Sequence, residues 1–260
     1  MIEIPFYKAF PGGNPTILVM TSPPEPEVMV SLARRLMKDS HLGAEQVGFV
    51  STLDDIPRLD MMGGEFCGNA ARSLAAVLAL ESRTETDAPF ETVISVSGAE
   101  RPLACRVLSG LEAWVEIPLP DGLTVPAPNP VHLPGISHLL VDEDHSPFPS
   151  DWPTVVRKLL DVHGLADLPA AGCVWYRRTG ISLSIKPCIR VAATHTLHAE
   201  TACGSGSLAL ALNLGLDRCS IVQPSGHAIC VRLDRGSDGY VERAWIGGKV
   251  EIVARGHAFV

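Results

Sequence analysis

Glu65-Phe66-Cys67-Gly68-Asn69-Ala70-Ala71-Arg72-Ser73-Leu74-Ala75 and Thr201-Ala202-Cys203-Gly204-Ser205-Gly206-Ser207-Leu208-Ala209-Leu210 are two versions of one pattern. Each runs Cys-Gly-(Asn/Ser)-small and continues into Ala and Leu. Small polar residues followed by a long apolar stretch describe a loop or strand entering a helix, and Asn69 and Ser205 are good N-cap types at that point. Residues 70–80, apolar apart from Arg72 and Ser73, predict a helix buried nearly all round.

Working outward, the duplication continues. Gly13-Asn14-Pro15-Thr16-Ile17-Leu18-Val19 is echoed by Gly135-Ile136-Ser137-His138-Leu139-Leu140-Val141, each a turn feeding an apolar strand. A helix is predicted after the first, with Pro26 in its opening turn and Val28, Leu32 and Leu36 at four-residue spacing. A similar helix follows Asp151-Trp152-Pro153, with Val155, Val156, Leu159 and Leu160 on one side. Short β-like runs come next, Gln46–Val50 and Cys173–Tyr176. The proline-rich stretch Pro118–Pro130 resists helix and inner strand and reads as a linker. The expected architecture is therefore α/β (α+β), with two pseudo-symmetric domains, each a curved, mostly antiparallel sheet wrapped on a central helix. Their expected bounds are 1–122 and 123–250, with a final strand at 251–260 returning to the first. Two equivalent halves would aim their central helix N-termini at each other across a cleft.

Composition narrows the function. The 260 residues suit one domain or two of about 130. Hydrophobic residues make up 46% and charged residues 19%, which excludes a disordered chain. Lys plus Arg number 21 against 29 Asp plus Glu, a net charge of −8, so a basic nucleic-acid binder is not expected. The longest unbroken apolar run, Leu74–Leu80, falls far short of the roughly 20 residues a membrane span needs. The opening MIEIPFYKAF has no basic region before an apolar stretch, so no export signal is expected. The seven cysteines form no CxxC and are odd in number, which argues against a disulfide framework and for a reducing, cytoplasmic setting.

A cysteine in that setting is usually a small buried hydrophobe. Cys105, Cys173, Cys188, Cys219 and Cys230 are assigned to core or surface on that ground. Cys67 and Cys203 differ because each precedes a helix. Free N–H groups at a helix start hold a carboxylate. The same end lowers a thiol pKa from about 8.5, so thiolate is available near neutral pH. Two such thiols facing each other suit one reaction in particular. One removes a proton, the other returns a proton from the opposite face, and a stereocentre inverts. The two would share one proton, so their titration belongs to the pair.

These residues resemble the diaminopimelate epimerase family of cofactor-independent, two-cysteine racemases and epimerases. The resemblance spans nearly the whole chain. It is carried by Gly13-Asn14, Gly43-Ala44-Glu45-Gln46, Cys67-Gly68-Asn69, Ser137-His138, Glu200-Thr201-Ala202-Cys203-Gly204-Ser205-Gly206 and Gln223-Pro224-Ser225-Gly226. Within it, GNPTILV (13–19), EQVGFV (45–50), GGEFCGNA (63–70) and VQPSGHAICV (222–231) are similar to the histidine racemases of opine-type metallophore pathways. A diaminopimelate epimerase carries a Glu-Arg pair before its second cysteine. Here Thr194-His195-Thr196-Leu197-His198-Ala199-Glu200 has no adjacent arginine, the nearest upstream being Arg190.

The resemblance implies Cys67 and Cys203 as the acid/base pair. It implies the backbone N–H groups of Gly68, Asn69, Gly204 and Ser205 as holders of the α-carboxylate, with Asn14 binding from the opening turn. Gln46, with Glu45 beside it, and Glu200 would contact the ammonium or tune a thiol. His138 would tune a catalytic thiol, or else be a hydrogen-bonded turn histidine. Glu65 reads as a solvated residue or a minor participant, and His195 and His198 as surface residues or ligand contacts. No cofactor and no metal are implied. The expected partners are an amino-acid substrate and a second copy of the chain, with no nucleic acid and no membrane. The competing readings are diaminopimelate epimerase, a non-catalytic Cys/His metal-binding protein and a single-nucleophile cysteine hydrolase. The metal reading lacks ligand spacings, His195-x₂-His198 being the nearest approach. The hydrolase reading uses only one of two equivalent thiols.

Overall fold

The computed structural model describes residues 2–82, 88–120, 123–192, 195–237 and 239–260. In chain order its first elements are β1 (Glu3–Phe10), β2 (Thr16–Val19), α1 (Pro26–Met37), β3 (Gln46–Leu53), β4 (Ile56–Met61), α2 (Gly68–Ser82), β5 (Phe90–Val96), β6 (Leu103–Leu108) and β7 (Glu112–Ile117). Then come β8 (Val131–Leu133), β9 (Ile136–Asp142), α3 (Trp152–Val162), β10 (Ala170–Thr179), β11 (Ser182–Val191) and β12 (Thr196–Ala199). The last are α4 (Gly204–Leu214), β13 (Arg218–Val222), β14 (Ala228–Arg235), β15 (Val241–Lys249) and β16 (Glu251–Phe259). The chain divides into two compact units, Met1–Glu116 with Gly247–Val260, and Ile117–Ile246. Residues 121 and 122, where the sequence reading set its boundary, lie outside the described residues. The described part of 118–130 forms no helix or strand.

In the first unit the strand order is β16-β1-β2-β3-β4-β5-β6-β7. Two of its pairings, β2 with β3 and β4 with β5, are parallel; the rest are antiparallel. Parallel neighbours need a crossover, and α1 and α2 supply the two. All four residues of β2 are buried, as a strand with a helix on each face requires. Ile17 and Val19 pack with Ala33 and Leu36 of α1. Strand alternation therefore turns Thr16 and Leu18 to the opposite face, toward α2. From Asn69 to Val77 every residue of α2 is buried. Val28, grouped by spacing with Leu32 and Leu36, is exposed, and Met29 packs on the core instead. A strict four-residue spacing drifts off one helix face over two turns, because the period is 3.6.

The second unit repeats this plan. Its order is β15-β14-β13-β11-β10-β9-β8, with β12 added on β11. Again two pairings are parallel, β9 with β10 and β11 with β13. They are bridged by α3 outside and α4 at the centre. Val156 and Leu160 of α3 pack with Leu139, Cys173 and Trp175. Alternation along β9 thus turns His138 away from α3. Gly206 through Leu212 of α4 are buried, and the helix stops at Gly215, in the left-handed region at φ 67°. The expected pair of mostly antiparallel sheets around central helices holds. Both β-like runs proved longer than expected, at Gln46–Leu53 and Ala170–Thr179, because each extends into an antiparallel hairpin with its next strand. Among the described residues no helix is long and apolar enough to cross a membrane.

Candidate active site

The two cysteines sit just ahead of the central helices, and each sulfur caps its own helix. Cys203 is the N-cap of α4, its Sγ accepting the Gly206 N–H at 3.4 Å. Cys67 Sγ accepts the Ala70 N–H at the same distance. The carbonyls of Cys67 and Cys203 take the next N–H groups, of Ala71 and Ser207, each at 3.0 Å. This corrects the assignment of Asn69 and Ser205 as caps: each is the second residue of its helix, two places past the cap. The N–H groups of Gly68, Asn69, Gly204 and Ser205, the expected carboxylate holders, fall at the first two helical positions. There the helix's own bonding pattern does not use them.

In the first unit, the Cys67 thiol donates to Gln46 Oε1 at 3.0 Å. Gln46 opens β3 and is buried, and its Nε2 donates to Thr16 Oγ1 at 2.6 Å. Thr16, its register partner on β2, donates in turn to the Asn14 carbonyl at 3.0 Å. Asn14 is buried at φ 53°, following Gly12 and Gly13 at φ 85° and 117°, a run of left-handed backbone that only glycine and asparagine accept readily. Asn69 Oδ1 accepts from Arg72 Nη2 at 3.0 Å, and the same nitrogen donates to Pro11 O at 2.6 Å. Arg72, fully buried, thereby ties the first turn of α2 to the loop that carries Asn14. Glu45 is part-buried beside Gln46. Glu65 is not solvated: burial raises its carboxyl pKa, and its Oε2 is buried without a hydrogen-bond partner.

In the second unit, Gln223 Oε1 accepts the Cys203 N–H at 2.9 Å, while its Nε2 donates to Ser207 Oγ and Ile221 O. Burial pushes the Cys203 thiol well above its usual range, and the Glu200 carboxylate, hydrogen-bonded to it, adds to the rise. Ser205 and the Gly206 N–H pull the other way. The lowering expected of a helix start is thus reversed at Cys203, because desolvation of the thiolate outweighs the helix end. His138 is fully buried, with Nε2 2.9 Å from Ser205 Oγ and no partner for Nδ1. Burial pushes its pKa down to about 3, so the ring is neutral. A buried acceptor without a partner is tolerated more readily than a buried N–H. The proton therefore sits on Nε2 and is donated to Ser205, leaving the serine hydroxyl to donate to Cys203 Sγ, 3.5 Å away.

The two units build these surroundings from matching positions with exchanged residues. Register pairs Thr16 with Gln46 across β2 and β3, and His138 with Gly172 across β9 and β10. In the first unit the second strand carries the long side chain. In the second unit the first strand does, and a glycine makes the room: a Cβ on Gly172 would lie 3.0 Å from His138 Nδ1 and 2.3 Å from Ile189 Cδ1.

The remaining candidates fall outside these networks. His195 and His198 are exposed, and Arg190 donates to Leu168 O at 2.6 Å. Thr194 lies outside the described residues. Cys105, Cys173 and Cys188 are buried, with thiol pKa values pushed up to about 12, chiefly by burial. Among the described residues no three His, Cys, Asp or Glu side chains gather as a metal-binding group. Gly172 escaped the sequence reading, whereas Thr16, Arg72, Ser207 and Gln223 stood in its motifs without a role.

The fold is that of the proline-racemase type of isomerase. It is shared with a probable proline racemase from Agrobacterium radiobacter K84, at TM-score 0.67 and 12% identity over 99% of this chain and 93% of that one. The family model described as the histidine racemase CntK N-terminal domain matches residues 3–259. The chain belongs to the histidine racemase family. A histidine racemase of Fusobacterium nucleatum subsp. nucleatum is 29% identical, with 98% of this chain and 97% of that protein covered. One from Staphylococcus aureus is 28% identical, with 99% and 98% covered.

Proposed function

We propose that the protein is a cofactor-independent racemase that interconverts L- and D-histidine, with Cys67 and Cys203 moving the Cα proton. The observation that carries this reading is the recurrence, in two matching units, of a thiol that caps a buried helix. A single base tends to return a proton to the face it came from, whereas two independent thiols allow inversion. Each thiol stands beside helix N–H groups, at positions one and two of α2 or of α4, whose partial positive charge suits a substrate carboxylate and a developing carbanion.

The surroundings of the two sulfurs support unlike roles. Burial and the Glu200 carboxylate keep Cys203 a thiol at rest; loss of that proton to Glu200 during turnover leaves a thiolate held by the Gly206 N–H and the Ser205 hydroxyl, and this is the base. Cys67 holds its proton against Gln46 Oε1 and serves as the acid. The opposite enantiomer runs the same steps in reverse. Histidine as substrate is supported by the family and by the lack of an arginine beside Glu200 that would pair with a distal carboxylate.

The finer setting is proposed on the same grounds. Seven free cysteines suit the reducing cytoplasm. The likeness of residues 13–19, 45–50, 63–70 and 222–231 to the metallophore-pathway branch supports D-histidine as a precursor of an opine-type metallophore. That likeness also supports a homodimer, checked by light scattering. The decisive experiment offers a panel of L-amino acids without added cofactor and separates the products by chirality. D-Histidine is the expected product, and in D₂O it carries deuterium at Cα; inversion without label would falsify the proton-transfer mechanism.

A further inference from the structure

We propose that Thr16 is a positioning residue: it fixes which end of the Gln46 amide meets Cys67 and so keeps that thiol protonated until turnover. The inference rests on the two-thiol reading and assigns a role to a residue that touches neither sulfur nor substrate. A threonine hydroxyl has one proton, and Thr16 gives it to the Asn14 carbonyl at 3.0 Å. Its oxygen can then only accept, and the group opposite, at 2.6 Å, is Gln46 Nε2. An amide anchored through Nε2 must present Oε1 at its other fork, and Oε1 lies 3.0 Å from Cys67 Sγ. A carbonyl oxygen there favours S–H and disfavours S⁻.

The reversed amide, with Nε2 toward sulfur, would favour thiolate. It requires the Thr16 proton to leave Asn14. That carbonyl is held in place by the left-handed turn Gly12-Gly13-Asn14 and by Arg72, which clamps Pro11 at the head of the same loop. The direction of every bond from Asn14 to Cys67 therefore follows from one hydroxyl. The second unit lacks the device. His138 stands in the place of Thr16 and Gly172 in that of Gln46, and its sulfur meets the Ser205 hydroxyl and the Glu200 carboxylate instead of an amide oxygen.

Four other ionisable residues belong to the elements around Cys67: Glu45 beside β3, Glu65 before α2, and Arg72 and Glu81 within α2, Glu81 at its far end accepting from the Tyr7 hydroxyl at 2.8 Å. On the next strand, Arg58 and Asp60 pair with each other at 2.7 Å. The Pro11–Pro15 loop brings no charge. All of these are unchanged when Thr16 is replaced, so their effects are common to every variant.

The test is alkylation of the full-length protein by iodoacetamide over a range of pH, with Cys67 followed as its own peptide by mass spectrometry. Thr16→Val keeps the shape and removes the hydroxyl. Cys67 should then be alkylated about tenfold faster at neutral pH, its profile moving about one unit toward acid. Thr16→Ser should keep the wild-type profile, and Thr16→Ala, which relieves any crowding, should match Thr16→Val. The Cys203 peptide in the same digest should not move. A wild-type Cys67 profile in Thr16→Val and Thr16→Ala, or a shifted one in Thr16→Ser, overturns the role of Thr16. Failure of the wild-type protein to racemise any amino acid would instead sink the functional reading, and the alkylation profiles tell the two apart.

Discussion

Ser205 links His138 to Cys203, its hydroxyl 2.9 Å from the imidazole and 3.5 Å from the sulfur. If the ring acts by aligning that hydroxyl, the two residues form one unit and their losses overlap. Ser205→Ala and His138→Gln should each lower kcat by about tenfold, and the double variant should be little worse than either. Steady-state kinetics on the three variants read this as a cycle. Losses that multiply would show that His138 acts by another route.

The proposed mechanism gives each cysteine its own face of Cα, so neither can stand in for the other. Cys67→Ala and Cys203→Ala should each reduce racemisation by about a thousandfold or more. Cys219→Ala, at a half-buried position on β13, should leave the rate within about twofold. Chiral chromatography of product decides it, and full activity in either catalytic variant would remove the pairing.

Stability should depend on pH through His138. Its native pKa is pushed down to about 3 by burial, against an ordinary 6.5. Above pH 6.5 both states are neutral and the contribution is intact. As pH falls toward 3, the unfolded chain binds a proton that the native one refuses, so stability declines. The loss on going from pH 8 to pH 5 is about 2 kcal/mol. Urea unfolding at both pH values, in wild type and His138→Gln, should show the wild type losing more by this amount; equal losses would mean the ring is not held neutral.

Gly172 is the residue whose replacement tests the exchange between units. Gly172→Ala sets a Cβ 2.3 Å from Ile189 Cδ1, 3.0 Å from His138 Nδ1 and 3.2 Å from the Cys188 carbonyl. Ile189 must swing its terminal methyl away, and the imidazole or the strand must give by a few tenths of an ångström, at about 1–3 kcal/mol in all. Thermal unfolding should register the drop and kcat should fall with it. An unaltered kcat would mean that His138 need not sit where it does.

The sequence announced the duplication because two cysteine motifs and two strand motifs repeat within a single chain. It announced α2 and α4 because a helix apolar all round has few other places to go. Gln46 and His138 were found through resemblance. Thr16 and Gly172 were not, because nothing in their neighbours predicts their use. Their roles come from the register of parallel strands, which brings Thr16 to Gln46 and His138 to Gly172. Arg72 was discounted as a polar break in an apolar helix, though it is wholly buried. The capping sulfurs were missed because serine and asparagine next door are stronger cap formers than cysteine.

β16, the last strand, lies along β1, the first, from Glu3 opposite Phe259 to Phe10 opposite Glu251. On the ribosome the first-made segment therefore waits, its outer sheet position open, while the whole of residues 117–246 emerges and is free to fold ahead of it. Synthesis thus makes every residue of the interior unit before β16, and β1 lacks its partner on that side until β16 is made.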